Sequence, residues 1–424
     1  MTEELLHHLW KFRLFNQTKL ATTKGELIEI VKVGEHNHHA GPDFFNSKIK
    51  IEDTLWAGNV EVHIRASDWN RHTHQHDKSY NNIILHVVYE ADQPIYRTSG
   101  ELIPTLELKH RIDPVYYKNY QQFKLSKDWI PCEKQIQQVP AIVMHTALNR
   151  LLIERLEEKY NDIIETLHLN KMNWEETFYQ LLAKNFGFKT NAVPFELLAK
   201  SIPSIVLGKH KSSLLQLEAL LFGQAGFLEQ HFRDKYPLQL QNEYAFLKRK
   251  FRLTSVDNHL WKFLRLRPVN FPTIRIAQFA QLIYQSTHLF SRVIAAEELI
   301  QLKQLLETNV SNYWNTHYVF EKSGAGKNKK LGEDSIHNII MNTIVPFLFV
   351  YGKSKDHESY IERALHFLEE LDGEKNAIIN AWSTLQVSVD SAAETQSLLQ
   401  LKNKYCDYKR CLQCPIGNYL LKKV

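Results

Sequence analysis

Pro42-Asp43, in the run HNHHAGPDFF, and Glu61-Val62-His63, in WAGNVEVHIRASDW, flank what reads as a β-hairpin turning at Glu52-Asp53-Thr54. A turn centred near residue 53 places Asp43 opposite His63, with Glu61 one step along. Glu61 and His63 are two apart, so they share one face of the strand while Val62 takes the other. Asp43, Glu61 and His63 are therefore expected to converge. Two carboxylates beside a backbone carbonyl make a hard-oxygen site suited to Mg²⁺ or Mn²⁺. A metal held there polarises a phosphoryl oxygen and lowers the pKa of an attacking water, with His63 positioned to orient that water. The bland alternative is a hairpin whose Asp43 caps a turn and whose Glu61 and His63 face solvent. Histidine weighs on the side of a site: of 21 in the chain, eleven fall in residues 1–110. Among them, His72, His74 and His76 are expected on a solvated loop.

Cysteine supplies a second candidate. Cys406, Cys411 and Cys414 form C-x4-C-x2-C near the C-terminus, and Cys132 stands alone in DWIPCEK. Three thiolates at turn spacing, with a fourth brought by the fold, would close a four-cysteine site for Zn²⁺ or an iron–sulfur cluster. A third feature is basic. LKRKFRL (247–253) and WKFLRLRPVNFPTIR (261–275) interleave cations with aromatic residues, as surfaces that hold phosphate backbones and stack on bases do. Arg249, Lys250, Arg252, Arg265, Arg267 and Arg275 are the candidate contacts with nucleic acid. The competing reading is a solvated basic helix face followed by an Arg-Pro turn.

The elements that must position these residues fall into two kinds. EELLHHLWKFRLF (3–15) has helical spacing of apolar residues. GELIEIVKVG, FFNSKIKI, LWAGNVEVHIR and the β-branched run NNIILHVVYE read as strands, the last as a buried central one. From about residue 140 the i, i+3, i+4 rhythm of amphipathic helices takes over. The expected fold class is α+β: a mixed module over 1–115, a linker over 116–139, an all-helical domain over 140–400 and a cysteine-rich segment over 401–424. EKSGAGKNKKLGED (321–334) contains Gly-Lys without phosphate-loop spacing or a preceding strand, and reads as a mobile connector.

Length and charge set bounds. At 424 residues the chain exceeds one ordinary core. A formal charge of +5 permits a polyanionic partner without demanding one. No uninterrupted apolar run reaches membrane-spanning length, and the N-terminus lacks signal-peptide character, so no membrane partner and a cytoplasmic location are expected. Four cysteines in so long a chain exclude a disulfide-stapled secreted scaffold.

The first 110 residues resemble the PD-(D/E)XK nuclease superfamily: Pro42-Asp43 matches its PD, and Glu61-Val62-His63 its (D/E)XK, with histidine where that family has lysine. The resemblance implies a metal-dependent nuclease, with Asp43 and Glu61 as ligands and Glu4 on the first helix as an accessory ligand. The histidine substitution leaves a second function class open, a non-catalytic scaffold or nucleic-acid-binding protein keeping an inactive nuclease-like fold. Some nucleases of that superfamily pin the chain's end with a lone cysteine and a C-terminal triplet, although there the lone cysteine precedes the core. Over its whole length the sequence is similar to a bacterial family of unknown function, numbered 2851. HNHHAGPDFF, WAGNVEVHIRASDW, YNNIILHVVYE, RLRPVNFPTIR and CLQCPIG carry that likeness.

Overall fold

The computed structural model of the protein describes residues 1–423. The chain divides into two compact units: Met1–Ala147 together with the residues from Leu401 onward, and Leu148–Gln400. The fold is α+β, as the pattern implied.

In the first unit, helix α1 (Glu3–Lys11) begins at Thr2, whose hydroxyl accepts from the Leu5 N–H at 3.3 Å, and buries Leu5, Leu6, Leu9 and Trp10. A six-stranded sheet follows: β1 (Ile28–Lys32), β2 (Glu35–His36), β3 (Phe44–Ile51), β4 (Thr54–Arg65), β5 (Ile83–Glu90) and β6 (Thr105–Glu107). The order is β1-β3-β4-β5-β6, with β2 also on β3. Pairing is antiparallel from β1 to β4 and parallel across β4-β5 and β5-β6.

That switch of direction decides where the site lies. Antiparallel neighbours join through a tight turn, and here Ile51 pairs directly with Thr54. Parallel neighbours need a long crossover. Residues 66–82 supply it through a short helix α2 (Asp68–Arg71) and two single 3₁₀ turns, His74–His76 and Lys78–Tyr80. The crossover seats Trp69 and Tyr80 in a small core with Ile83, Val88, Ile95 and Ile103.

Residues 116–139 are not a linker. Helix α3 (Pro114–Leu125) buries Tyr116, Tyr120 and Phe123. The C-terminal segment returns to this unit: Asn119 donates to the carbonyl of Leu421, Lys409 to that of Lys124 and Gln413 to the Glu4 carboxylate.

The second unit is helical around an aromatic-rich core that includes Phe186, Phe195, Phe222, Phe279, Phe347, Phe367 and Trp314. It also holds a minimal hairpin, β7 (His317–Val319) with β8 (Lys322–Ser323), that helical periodicity could not show. The segment read as a mobile connector is anchored. Lys329 is buried, and its ammonium donates to the carbonyls of Asn315 at 2.9 Å and His317 at 3.1 Å. Glu333–Lys355 is long and apolar enough to cross a membrane, yet 72% of its apolar window is buried within the protein. It is a core helix.

Gly34, between β1 and β2, lies at φ 97°, and a Cβ there would stand 2.7 Å from the carbonyl oxygen of Phe45. Its neighbour Val33 accepts from both Trp10 Nε1 and Ser47 Oγ, so this backbone is held on two sides. Gly34→Ala is expected to cost about 1–3 kcal/mol. A urea midpoint equal to wild type would show that the segment yields freely.

Candidate metal centre

The alternation of β4 builds the site. Val60 and Val62 pack on one face and Glu61 and His63 are buried on the other, with Glu61 only 4% and His63 only 2% exposed. This is not a solvated face. The parallel register sets His86 of β5 beside Glu61, while the crossover lays His72 and His74 over the same face.

Asp43 arrives by a different register from the expected one. Pairing starts at Ile51 with Thr54, and a bulge near Asn46, at φ 55°, slips it again, so that Phe44 meets Val60. Asp43 therefore stands beside Glu61 rather than opposite His63. The two acids clasp each other through backbone. The Asp43 N–H donates to Glu61 Oε2 at 3.1 Å, and the Val62 N–H donates to Asp43 Oδ2 at 3.0 Å.

Imidazoles fill the rest of the surroundings. Glu61 Oε1 lies 3.4 Å from His74 Nε2 and 3.6 Å from His63 Nε2, and Asp43 Oδ2 lies 3.1 Å from His7 Nε2. His63 Nδ1 is 2.8 Å from His86 Nε2, and His63 Nε2 is 3.2 Å from His72 Nδ1. Ring-nitrogen atoms of His63, His72 and His74 all fall within 4.8 Å of one another. His74 stacks on Tyr80 at 3.9 Å, which fixes the ring, yet its Nε2 makes no hydrogen bond.

The charge balance is unusual for a buried acid. Among the described residues, no lysine or arginine pairs with Asp43 or Glu61. Burial, reinforced by the Asp43 charge, pushes the Glu61 carboxyl up to about 9. Burial also holds His63 far below the usual imidazole range and His86 at about 3, with neighbouring imidazoles adding to the shift. His7 is raised: burial opposes this, but the Asp43 carboxylate beside it prevails. The result is a group of neutral imidazoles, His63, His74 and His86, beside Glu61, with His7 drawn toward its charged form by Asp43. If His63 Nδ1–H donates to His86, its Nε2 lone pair points toward Glu61, the orientation a metal-binding imidazole takes when a second group fixes its tautomer.

His63, His72, His74, Glu61 and Asp43 thus present a mixed nitrogen and oxygen donor set, with His7 at its edge. Such a set fits Mn²⁺, Zn²⁺ or Fe²⁺ better than the Mg²⁺ that two carboxylates alone would favour. The solvated position expected for His74 is corrected, whereas His72 is exposed as expected. His72 keeps one ring nitrogen 3.2 Å from His63, and His74 is half-buried against Tyr80 and Glu61. His76 is exposed. The sequence signals that could have found them are the His-x-His spacing at 72–74 and a histidine within the apolar run of β5.

Glu4 belongs elsewhere. Its carboxylate lies 3.5 Å from Lys124 Nζ and accepts from Gln413. Helical spacing explains this: on α1 it is Glu3 and His7, four apart, that act electrostatically on Glu61.

The chain matches the family model described as "Protein of unknown function (DUF2851)" over residues 3–377. It belongs to that family. No curated protein and no solved structure matches it. Every residue of this candidate centre lies inside the span matched to DUF2851.

The basic candidates divide. Arg249, Lys250, Arg252, Arg265 and Arg267 are exposed. Arg275 is not available to a phosphate. It sits in the first turn of the helix Pro272–Gln285, buried, donating to Gln278, Asn270 and Ser335 and stacked on Phe188 at 4.5 Å. Trp261 is equally unavailable for stacking on a base, packed in the core with its Nε1 donating to Ala225. None of the four cysteines forms a disulfide, and all four belong to the first unit.

The pKa shifts give a pH signature for metal-free protein. A carboxyl raised in the folded state contributes its full stability below about pH 4.5 and loses it as pH rises toward about 9. His63 and His86 act oppositely: their contributions are complete above pH 6.5 and are lost as pH falls. Glu61→Gln is therefore expected to melt above wild type at pH 9 and to match it near pH 4.5, since each proton linked contributes about 1.4 kcal/mol per pH unit. Parallel melting curves across that range would show that Glu61 is not the buried protonated group.

Proposed function

We propose that the protein is a metal-dependent nuclease-like hydrolase acting on nucleic-acid phosphodiesters, with Asp43, Glu61 and His63 at its centre. The observation that carries this reading is the Asp43–Glu61 pair, with Glu61 buried and Asp43 half-buried, which among the described residues no lysine or arginine neutralises and beside which burial keeps His63, His74 and His86 neutral. A divalent cation is what such a pocket lacks electrostatically, and binding it would release the Glu61 proton. When bound, the metal supplies Lewis-acid polarisation and an acidified water. The chain's own residues then have simpler work. Asp43 and Glu61 carry the negative charge that holds the cation, and the His63–His86 pair fixes the tautomer of the nitrogen facing it. His72, on the exposed rim, is placed to take or give a proton at the water side. The donor set favours Mn²⁺ or a similar transition ion over Mg²⁺.

A second reading rests on His63 itself. A lysine at that position would bring a fixed positive charge to the developing phosphorane, and a neutral imidazole does not. That favours a protein that binds nucleic acid without cutting it, using the exposed Arg249, Lys250, Arg252, Arg265 and Arg267. The two readings separate in one assay. Cleavage of single- and double-stranded DNA and RNA with Mn²⁺ is expected for wild type, with Asp43→Ala and Glu61→Gln each slower by at least about 100-fold. Cleavage that is absent from wild type, or unchanged in both variants, sinks the hydrolase reading.

A further inference from the structure

The cysteines lie outside the candidate metal centre and have no part in its chemistry. Cys132 sits in the turn region after α3, Cys406 ends a π-helical turn (Leu401–Cys406), and Cys414 caps the helix Pro415–Leu421. The polypeptide brings these separated pieces together within the first unit. Lys402 Nζ stands 5.1 Å from the Trp129 ring, Lys409 donates to the Lys124 carbonyl, and Lys423 reaches the carbonyl of Gln138, so the C-terminal segment brackets Cys132. Cys132 and Cys414 are buried, and Cys406 and Cys411 are half-buried. Gly417 packs so closely on the Cys411 backbone that a Cβ there would clash, which fixes the turn carrying the last two thiols.

Each thiol lies within electrostatic reach of others: Cys132 feels Cys411 and Cys414, and Cys406 feels all three partners. Burial first, and then this mutual repulsion, raises the pKa values of Cys132, Cys406 and Cys411. Three lysines surround the group, with Lys124 and Lys409 acting on Cys411 and Lys402 on Cys406. Two buried and two half-buried thiols with no disulfide between them, and with three lysines beside them, form a poor protein core and a good cage for an anionic thiolate centre.

Spacing discriminates between metals. Zinc holds four thiolates at about 2.3 Å, which places the sulfurs about 3.8 Å apart. Among the described residues, no three of these sulfurs lie within 4.8 Å of one another, a limit His63, His72 and His74 do meet. An iron–sulfur core spreads its ligands wider than a single zinc ion. We propose that Cys132, Cys406, Cys411 and Cys414 ligate an iron–sulfur cluster that fastens the C-terminal segment to the sheet-bearing unit. The inference is independent of hydrolysis at the Asp43–Glu61 site.

The test uses the full chain purified without oxygen. Wild type is expected to contain iron and acid-labile sulfide in near-equal amounts and to absorb broadly near 400 nm. Cys132→Ser and Cys414→Ser are expected to lose at least half of both, while Glu61→Gln keeps them. The measurement on wild type alone decides the matter if the cysteine variants fail to fold. Zinc without sulfide would overturn the cluster assignment, as would metal-free protein whose thiols all react with an alkylating reagent after unfolding. Iron retained in full by both serine variants would also overturn it.

Discussion

A carboxylate buried without a cation is the constraint on which the sheet-bearing unit turns. Glu61 is held inside the protein by strand β4, whose other face must bury Val60 and Val62. No lysine or arginine among the described residues compensates its charge, so it is either protonated or neutralised by something that comes from outside. The acid's own backbone contacts, shared with Asp43, keep it in place in either state. His63, His74 and His86 are held neutral for the same reason that the acid is protonated: the interior disfavours every isolated charge.

The rest of the unit can be read as the scaffold for that pocket. The antiparallel half of the sheet delivers Asp43 next to Glu61, and the parallel half delivers His86. The change of direction between the halves obliges a crossover, and that crossover brings His72 and His74. Helix α1 closes another side with His7. The packing of Trp69 and Tyr80 under the crossover ties the positions of the histidines to a small apolar core, so the geometry of the histidine group is preorganised by hydrophobic burial.

The helical unit is a different construction. Its core is aromatic, and its polar burials, such as Lys329 on three backbone carbonyls and Arg275 on three side chains, satisfy groups the fold cannot leave dry. Cations conspicuous in the sequence thus split between structure and surface. An arginine in an Arg-Pro-rich stretch looks the same on paper whether its helix turns it inward or outward, and Arg275 turns inward.

The α+β class, the strands, the helical second half and the meeting of Asp43 with Glu61 were all legible from local pattern, because periodicity and turn position are local properties. The register was off by the slip of one tight turn and one bulge, features that depend on backbone dihedrals at Glu52 and Asn46. The sequence by itself determined that Glu61 and His63 share one face of β4, since the alternation of a strand is fixed by its geometry. Only the tertiary structure decided that this face is dry, that the histidines of a polar loop lie against it, and that the C-terminal segment packs back on the sheet-bearing unit. Burial and long-range pairing depend on what packs against a segment, and no window of the sequence contains that information.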